Sequence, residues 1–329
     1  MQKRWHVPVL SSVVVTLAVL AGCATLDDKQ REWIFQPSDR AWGNSAAEAE
    51  GLENVWIGFR SPSSGEDATL HALWLPADAP ASAEGPADLL SAVGTDVTAI
   101  RPVRRQREDT PAAALPPTPQ QTPVLLYLHG ARWNVSGSAG RIRRMQQMGF
   151  SVLAIDYRGF GKSSPGLPSE TTAAEDARAA WDWLGRTYPG RPRYIFGHSL
   201  GGAIAIDLAS SVKDEAGVIV EGTFTSISDV VSSFKWGWLP LSPLITQRFD
   251  SESKVREIGA PLLVVHGSAD STIPVRLGRK LFEAATGRKQ FVVVEGGSHF
   301  NTNAVGENQY RQAVAQLFGM QEPPAPVSE

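Results

Sequence analysis

From Val124 onward the chain alternates short, nearly unbroken apolar runs with longer stretches of mixed character. Runs such as Val124-Leu125-Leu126-Tyr127-Leu128 and Leu262-Leu263-Val264-Val265 lack the apolar–polar alternation of a half-exposed strand. They read as strands covered on both faces, which is characteristic of parallel sheets with helices packed above and below. The strand candidates are 124–128, 151–155, 193–197, 217–221, 261–266 and 290–295, with helices expected near 138–148, 172–187, 200–212, 275–285 and 304–318. Two further strands, 55–59 and 69–75, precede them, joined by the turn residues Ser61-Pro62-Ser63-Ser64-Gly65. The expected fold class is α/β, a mostly parallel central β-sheet flanked by helices. Right-handed crossovers place the loops that follow the strand ends on one edge, where such sheets bind ligands. Composition agrees with one packed core: 42% of the 329 residues are apolar. With 31 basic against 34 acidic residues there is no basic field for nucleic acid. A single cysteine excludes a disulfide framework and any zinc site built on two or more cysteines.

The chemistry centres on Gly197-His198-Ser199-Leu200-Gly201. Gly-x-Ser-x-Gly is common by chance, but here Arg193-Tyr194-Ile195-Phe196 ahead of it reads as a strand and the residues from Gly202 read as a helix. A serine on a sharp strand-to-helix turn is a nucleophile elbow. The turn holds Ser199 in strained backbone angles, and its glycines leave room where a Cβ would collide with neighbouring backbone. A hydroxyl is a poor nucleophile without a base, so a histidine and an orienting acid are required. In this arrangement they follow in the chain order Ser, acid, His. Asp270, in His266-Gly267-Ser268-Ala269-Asp270, lies just beyond one predicted strand, and His299, in Gly297-Ser298-His299-Phe300, just beyond the next. Glu221, at a strand end, and Glu295, near His299 in sequence, are rival acids. Asp270 fits better because its loop follows the penultimate strand and is closed by Ile273-Pro274. An oxyanion formed on attack at Ser199 would be met by two backbone N–H groups, that of Leu200 and, after His129-Gly130, that of Ala131.

These motifs, together with Asp156-Tyr157-Arg158-Gly159-Phe160-Gly161, resemble the α/β-hydrolase superfamily, in particular its serine aminopeptidase-like and membrane-tethered acyl-thioesterase-like branch. The resemblance spans roughly 52–320, and the chain departs from it in an insertion at 77–122 and at Arg132-Trp133. It implies a serine hydrolase that cleaves carboxylic esters or thioesters through Ser199, His299 and Asp270, acting on a small-molecule or acyl substrate with no metal or organic cofactor. A serine peptidase or aminopeptidase would use the same triad, and a non-catalytic surface binding protein could retain the scaffold. Gly159-Phe160-Gly161-Lys162-Ser163 looks like a phosphate-binding loop, but Asp156 stands where that motif needs glycine, so Asp156 reads as a carboxylate bracing its loop.

The chain ends carry separate expectations. Lys3 and Arg4 precede a 14-residue apolar stretch, Val7 to Leu20, too short to span a bilayer as a helix. Leu20-Ala21-Gly22-Cys23 resembles the lipobox of bacterial lipoproteins, which implies removal of a 1–22 signal peptide, lipid attachment at Cys23, and an outer-membrane location facing the periplasm. Residues 23–51 are expected to be a polar tether whose Trp33, Ile34 and Phe35 dock on the domain. The 46 residues 77–122 hold 10 Ala and 7 Pro and no aromatic, as a solvated loop would. Residues 223–258 read as a lid rich in aromatics and leucines that could line an acyl site or cover the sheet, and 321–329 as a C-terminal tail. The sequence sets no oligomeric state.

Overall fold

The computed structural model describes residues 22, 24–38, 49–77, 122–132, 134–234 and 242–320. Residues 1–21 of the expected signal peptide, Cys23, tether residues 39–48, nearly all of the 77–122 insertion, Trp133, the lid residues 235–241 and the 321–329 tail lie outside the described residues.

Eight strands form one sheet: β1 (Glu53–Arg60), β2 (Asp67–Leu75), β3 (Val124–Leu128), β4 (Ser151–Ile155), β5 (Arg193–His198), β6 (Glu215–Glu221), β7 (Leu262–Gly267) and β8 (Lys289–Val294). Their spatial order is β1-β2-β4-β3-β5-β6-β7-β8. The β1–β2 and β2–β4 pairs are antiparallel, and every pairing from β4 through β8 is parallel. The chain moves outward from β3 to β4, then returns to the other side of β3 at β5. That reversal opens a crevice at the C-terminal ends of β3 and β5, the place where sheets of this kind bind ligands.

Both faces are buried, as the unbroken apolar strands require. Along β3, Val124, Leu126 and Leu128 join one core cluster, while Leu125 and Tyr127 join the other. The first cluster is covered by helices α3 (Glu170–Thr187), α4 (Leu200–Ser211) and α7 (Val275–Ala284). The second is covered by α2 (Ala139–Gln147) and α9 (Glu307–Phe318) through Ile142, Met145, Tyr310, Val314 and Leu317. The start of α3 is set locally: the Ser169 side chain accepts the Thr172 N–H, and Thr172 returns a bond to the Ser169 N–H.

Three features differ from the sequence expectation. Part of the expected tether is a helix, α1, over 24–35, with Phe35 fully buried and Ile34 nearly so. Trp33, expected to dock with them, is half exposed. The less exposed positions are 27, 30, 31, 34 and 35, a helical face, but three of the five are polar, so hydrophobic periodicity does not reveal it. The expected helix at 304–318 is two helices, α8 (Thr302–Val305) and α9, broken at Gly306, where a Cβ would press on the Val294 side chain. Among its described residues the lid carries two short α-helices, α5 (Ile227–Ser233) and α6 (Ser251–Lys254), too short to show a period in sequence.

Candidate active site

Ser199 joins β5 directly to α4 with φ 55° and ψ −120°, outside the comfortable range of an L-residue. The flanking glycines make this turn possible. A Cβ on Gly197 would strike the Gly201 carbonyl, and one on Gly201 would strike the Leu128 carbonyl of β3. The turn is fastened on both sides, since the Ser199 N–H donates to the Glu221 carbonyl (2.9 Å) and the Thr223 hydroxyl donates to the Ser199 carbonyl (2.9 Å).

The loops after β7 and β8 bring the other two groups to the same edge. The His299 Nδ1 lies 2.8 Å from Asp270 Oδ2, and its Nε2 lies 3.0 Å from Ser199 Oγ. An ionised carboxylate can only accept, so Nδ1 carries the proton and Nε2 accepts from the serine hydroxyl. Asp270 is itself fixed: its Oδ1 accepts the N–H groups of Thr272 (2.9 Å) and Ile273 (2.8 Å). Of the rival acids, Glu295 is exposed, and Glu221 is buried and committed elsewhere, to Arg141 and Tyr310.

Ala131 sits in the loop after β3, and its neighbour Gly130 is so close to Ser199 that a Cβ there would lie 3.1 Å from the Ser199 Cβ. Among the described residues, neither the Ala131 nor the Leu200 N–H is bonded to a protein acceptor. His129 is buried beneath this loop, with Nδ1 2.7 Å from the Gly130 carbonyl oxygen, and Tyr157 donates to the His129 carbonyl (3.1 Å). Burial lowers the His129 pKa, which keeps the ring neutral. Asp156 braces the same region, accepting the Val135 N–H (2.6 Å) with His71 Nδ1 3.0 Å away.

Two further residues matter that sequence reasoning assigned no role. The buried His198 donates from Nε2 to the His299 carbonyl (2.9 Å), and Arg141 donates to the Phe300 carbonyl (2.9 Å) and to Glu221 Oε1 (3.0 Å). Together they hold the backbone of the His299 loop from below. Burial, then the nearby Arg141 charge, pushes the His198 pKa well below its ordinary value, so it acts as a neutral donor. Arg141 stands beside Ile142 on an amphipathic helix, where a cation reads as solvent-facing; only the partner at position 221 shows otherwise.

A cavity of about 480 Å³ opens above Ser199. Ile34 of α1, Leu200, and Phe224, Ile227, Val230 and Phe234 of the lid supply its apolar lining. Phe224, Ile227 and Val230 also belong to the core cluster, so this part of the lid both covers the sheet and lines the cavity. The charged lining residues, among those described, are Arg132 and Arg141, with no carboxylate.

The fold is that of the α/β hydrolases, and residues 119–254 match the family described as serine aminopeptidase, S33. The eight-stranded, mostly parallel sheet with flanking helices is the α/β-hydrolase fold. It is 37% identical over 179 residues to an uncharacterized protein of Mycobacterium tuberculosis, covering 54% of this chain and 63% of that one. It is 33% identical over 189 residues to the lysophosphatidylserine lipase ABHD12 of Danio rerio, covering 51% and 48%. The matches thus span about half to under two thirds of these relatives' own length. In three dimensions it resembles the Pyrococcus furiosus esterase Pf2001, with TM-score 0.59 and 16% identity over 88% of this chain and 97% of that one. At that identity the likeness concerns the fold.

Proposed function

We propose that the protein is a serine hydrolase that cleaves carboxylic esters or thioesters of acyl substrates by way of an acyl-enzyme. The observation that carries this reading is His299 standing between Ser199 Oγ (3.0 Å) and Asp270 Oδ2 (2.8 Å) at the mouth of an apolar cavity. Ser199 attacks the acyl carbonyl while His299 Nε2 takes its proton, and Asp270 holds the tautomer and stabilises the imidazolium. The N–H groups of Ala131 and Leu200 receive the oxyanion; each such donor typically contributes ~10²–10³ in rate. His299 returns the proton to the departing alcohol or thiol, then activates the water that releases the acid.

Ester cleavage is favoured over aminopeptidase action by the lining. A free amino terminus needs a carboxylate partner, and none faces the cavity among the described residues. The lysophosphatidylserine lipase relatives support an acyl ester substrate. The test is a panel of p-nitrophenyl esters of rising chain length beside aminoacyl nitroanilides, with wild type and Ser199→Ala. The reading expects ester turnover that falls by ~10⁶ in Ser199→Ala if the three groups act as a unit. Nitroanilide turnover with inert esters, or undiminished ester hydrolysis by Ser199→Ala, would overturn it.

We further infer that the protein is held in the bacterial envelope by acylation at Cys23, on the outer membrane facing the periplasm. Helix α1, described from residue 24, reaches the cavity at Trp33, a span of ~15 Å at 1.5 Å per residue, so such an anchor would keep the mouth near the lipid. Cys23→Ser should abolish palmitate incorporation and send the protein to the aqueous phase of a detergent partition; continued incorporation would refute the anchor.

A further inference from the structure

The loop that carries Ala131 contains a strained residue, and the partner that holds it comes from far away in sequence. Arg132 has φ 69°, in the left-handed region, without being glycine. Such a conformation persists only where the surroundings enforce it. Here the Arg132 N–H donates to the Phe35 carbonyl (2.9 Å), and Arg132 Nε donates to Gln36 Oε1 (2.8 Å). Gln36 is likewise left-handed, at φ 47°, and its amide Nε2 donates back to the Trp33 carbonyl (2.9 Å). The peptide immediately following Ala131 is therefore gripped by the C-terminal end of α1.

That grip is itself anchored. The Phe35 ring is fully buried, with ring centroids 5.8 Å from Phe249 and 6.5 Å from Phe160. Gln30 donates to the Leu244 carbonyl (2.7 Å) and accepts the Thr246 N–H (2.9 Å), while Gln247 donates to Asp27 (2.9 Å). Arg31 bonds to the carbonyls of Leu167 and Pro168. A helix fastened at these points cannot shift without moving the peptide at Arg132. All of it lies outside the matched residues 119–254.

We propose that α1 and Gln36 form a positioning segment of the active site, in which the Phe35 carbonyl and the Gln36 side chain hold the strained Arg132 peptide and so aim the Ala131 N–H at the oxyanion. This rests on the Ser199 reading given above and extends it to a segment that supplies neither the nucleophile nor its base. Gln36 and Arg132 are positioning residues: they act through Ala131, and their loss lowers turnover more than it weakens ground-state binding.

The experiment measures kcat and KM for p-nitrophenyl butyrate, with rates expressed per serine titrated to completion by a fluorophosphonate, so that unfolded protein does not count. Gln36→Ala should lower kcat about tenfold with KM changed less than twofold, a loss of the kind expected when an oxyanion donor is misaimed rather than removed. Gln36→Glu, which keeps the acceptor, should restore most of the rate. Arg132→Ala should lower kcat likewise, and the double variant should be no worse than Gln36→Ala alone, because both single variants remove the bond between the two side chains. Wild-type kcat per titrated site in both single variants, or multiplying losses in the double, would overturn the proposal. Failure of the wild type to react with the fluorophosphonate at Ser199 would instead overturn the serine-hydrolase reading, so the two failures are distinguishable.

Discussion

Gly202 shows how little room surrounds Ser199. A Cβ there would lie 2.5 Å from the Thr223 Cβ and 2.6 Å from its hydroxyl, the same hydroxyl that donates to the Ser199 carbonyl. Gly202→Ala should therefore displace Thr223, costing about 1–3 kcal/mol by overpacking and lowering kcat with it. Urea titration and ester kinetics on the same preparation check both effects; an unchanged kcat would mean that the Thr223 bond does not hold the turn. Arg141 has a different vulnerability. Its partner Glu221 is fully buried and also accepts from Tyr310, so Arg141→Leu strands a carboxylate in the interior. The expected cost is about 3–5 kcal/mol, read as a lower denaturation midpoint. Arg141→Leu,Glu221→Leu should recover part of it, and no recovery would contradict the pairing. Position by position, what could be read from sequence was whatever has a local signature. Ser199 sits between glycines that only a sharp turn requires, and Asp270 and His299 each follow an apolar strand closely. Gln36 and Arg132, 96 residues apart, and Arg141 and Glu221, 80 apart, have no such signature because each side chain is ordinary until its partner is known.

Among the elements, the strands of the parallel sheet were legible because burial on both faces writes itself as unbroken apolar runs. Helix α1 was not, since Asp27, Gln30 and Arg31 on its docking face bond to other segments through polar contacts instead of packing apolar surface. The split between α8 and α9 was hidden too, because a lone glycine inside a helical pattern is tolerated and only the approach of Val294 makes Gly306 a break. Placing α1 against the cavity has a consequence for selectivity. Trp33 is half exposed at the rim, while Ile34 is buried and lines the interior. Trp33→Ala should raise KM for a decanoyl ester several-fold more than for an acetyl ester, as expected when apolar area at ~25 cal/mol per Å² is lost from the part of the site that only a long chain reaches. Equal changes across a chain-length series would place the acyl chain elsewhere.

At the scale of the whole molecule, the sheet edge gathers histidines that burial keeps uncharged. The pKa values of His129, His198 and His266 are all lowered, with desolvation the largest cause. The unfolded chain protonates each of them near ~6.5, so below that pH it binds protons that the fold refuses, and stability falls as pH falls, by at most ~1.4 kcal/mol per pH unit for each group. Asp176, raised to about 6 mainly by burial, works in the opposite direction below that value. Glu215, also raised by burial, acts with Asp176, but the three histidines outnumber these two carboxylates, so Tm should be lower at pH 5.5 than at pH 7.5, and an unchanged or higher Tm in acid would contradict the neutral-histidine description. The proposed chemistry turns on one oxygen atom being made nucleophilic by one imidazole. Its most direct measurement is reaction with a fluorophosphonate followed by peptide mapping of the adduct in wild type, His299→Ala and Ser199→Ala. The account predicts a single phosphonyl group on Ser199 in the wild type, labelling slowed by orders of magnitude in His299→Ala, and none in Ser199→Ala. An adduct on another residue, or equally fast labelling without His299, would contradict it.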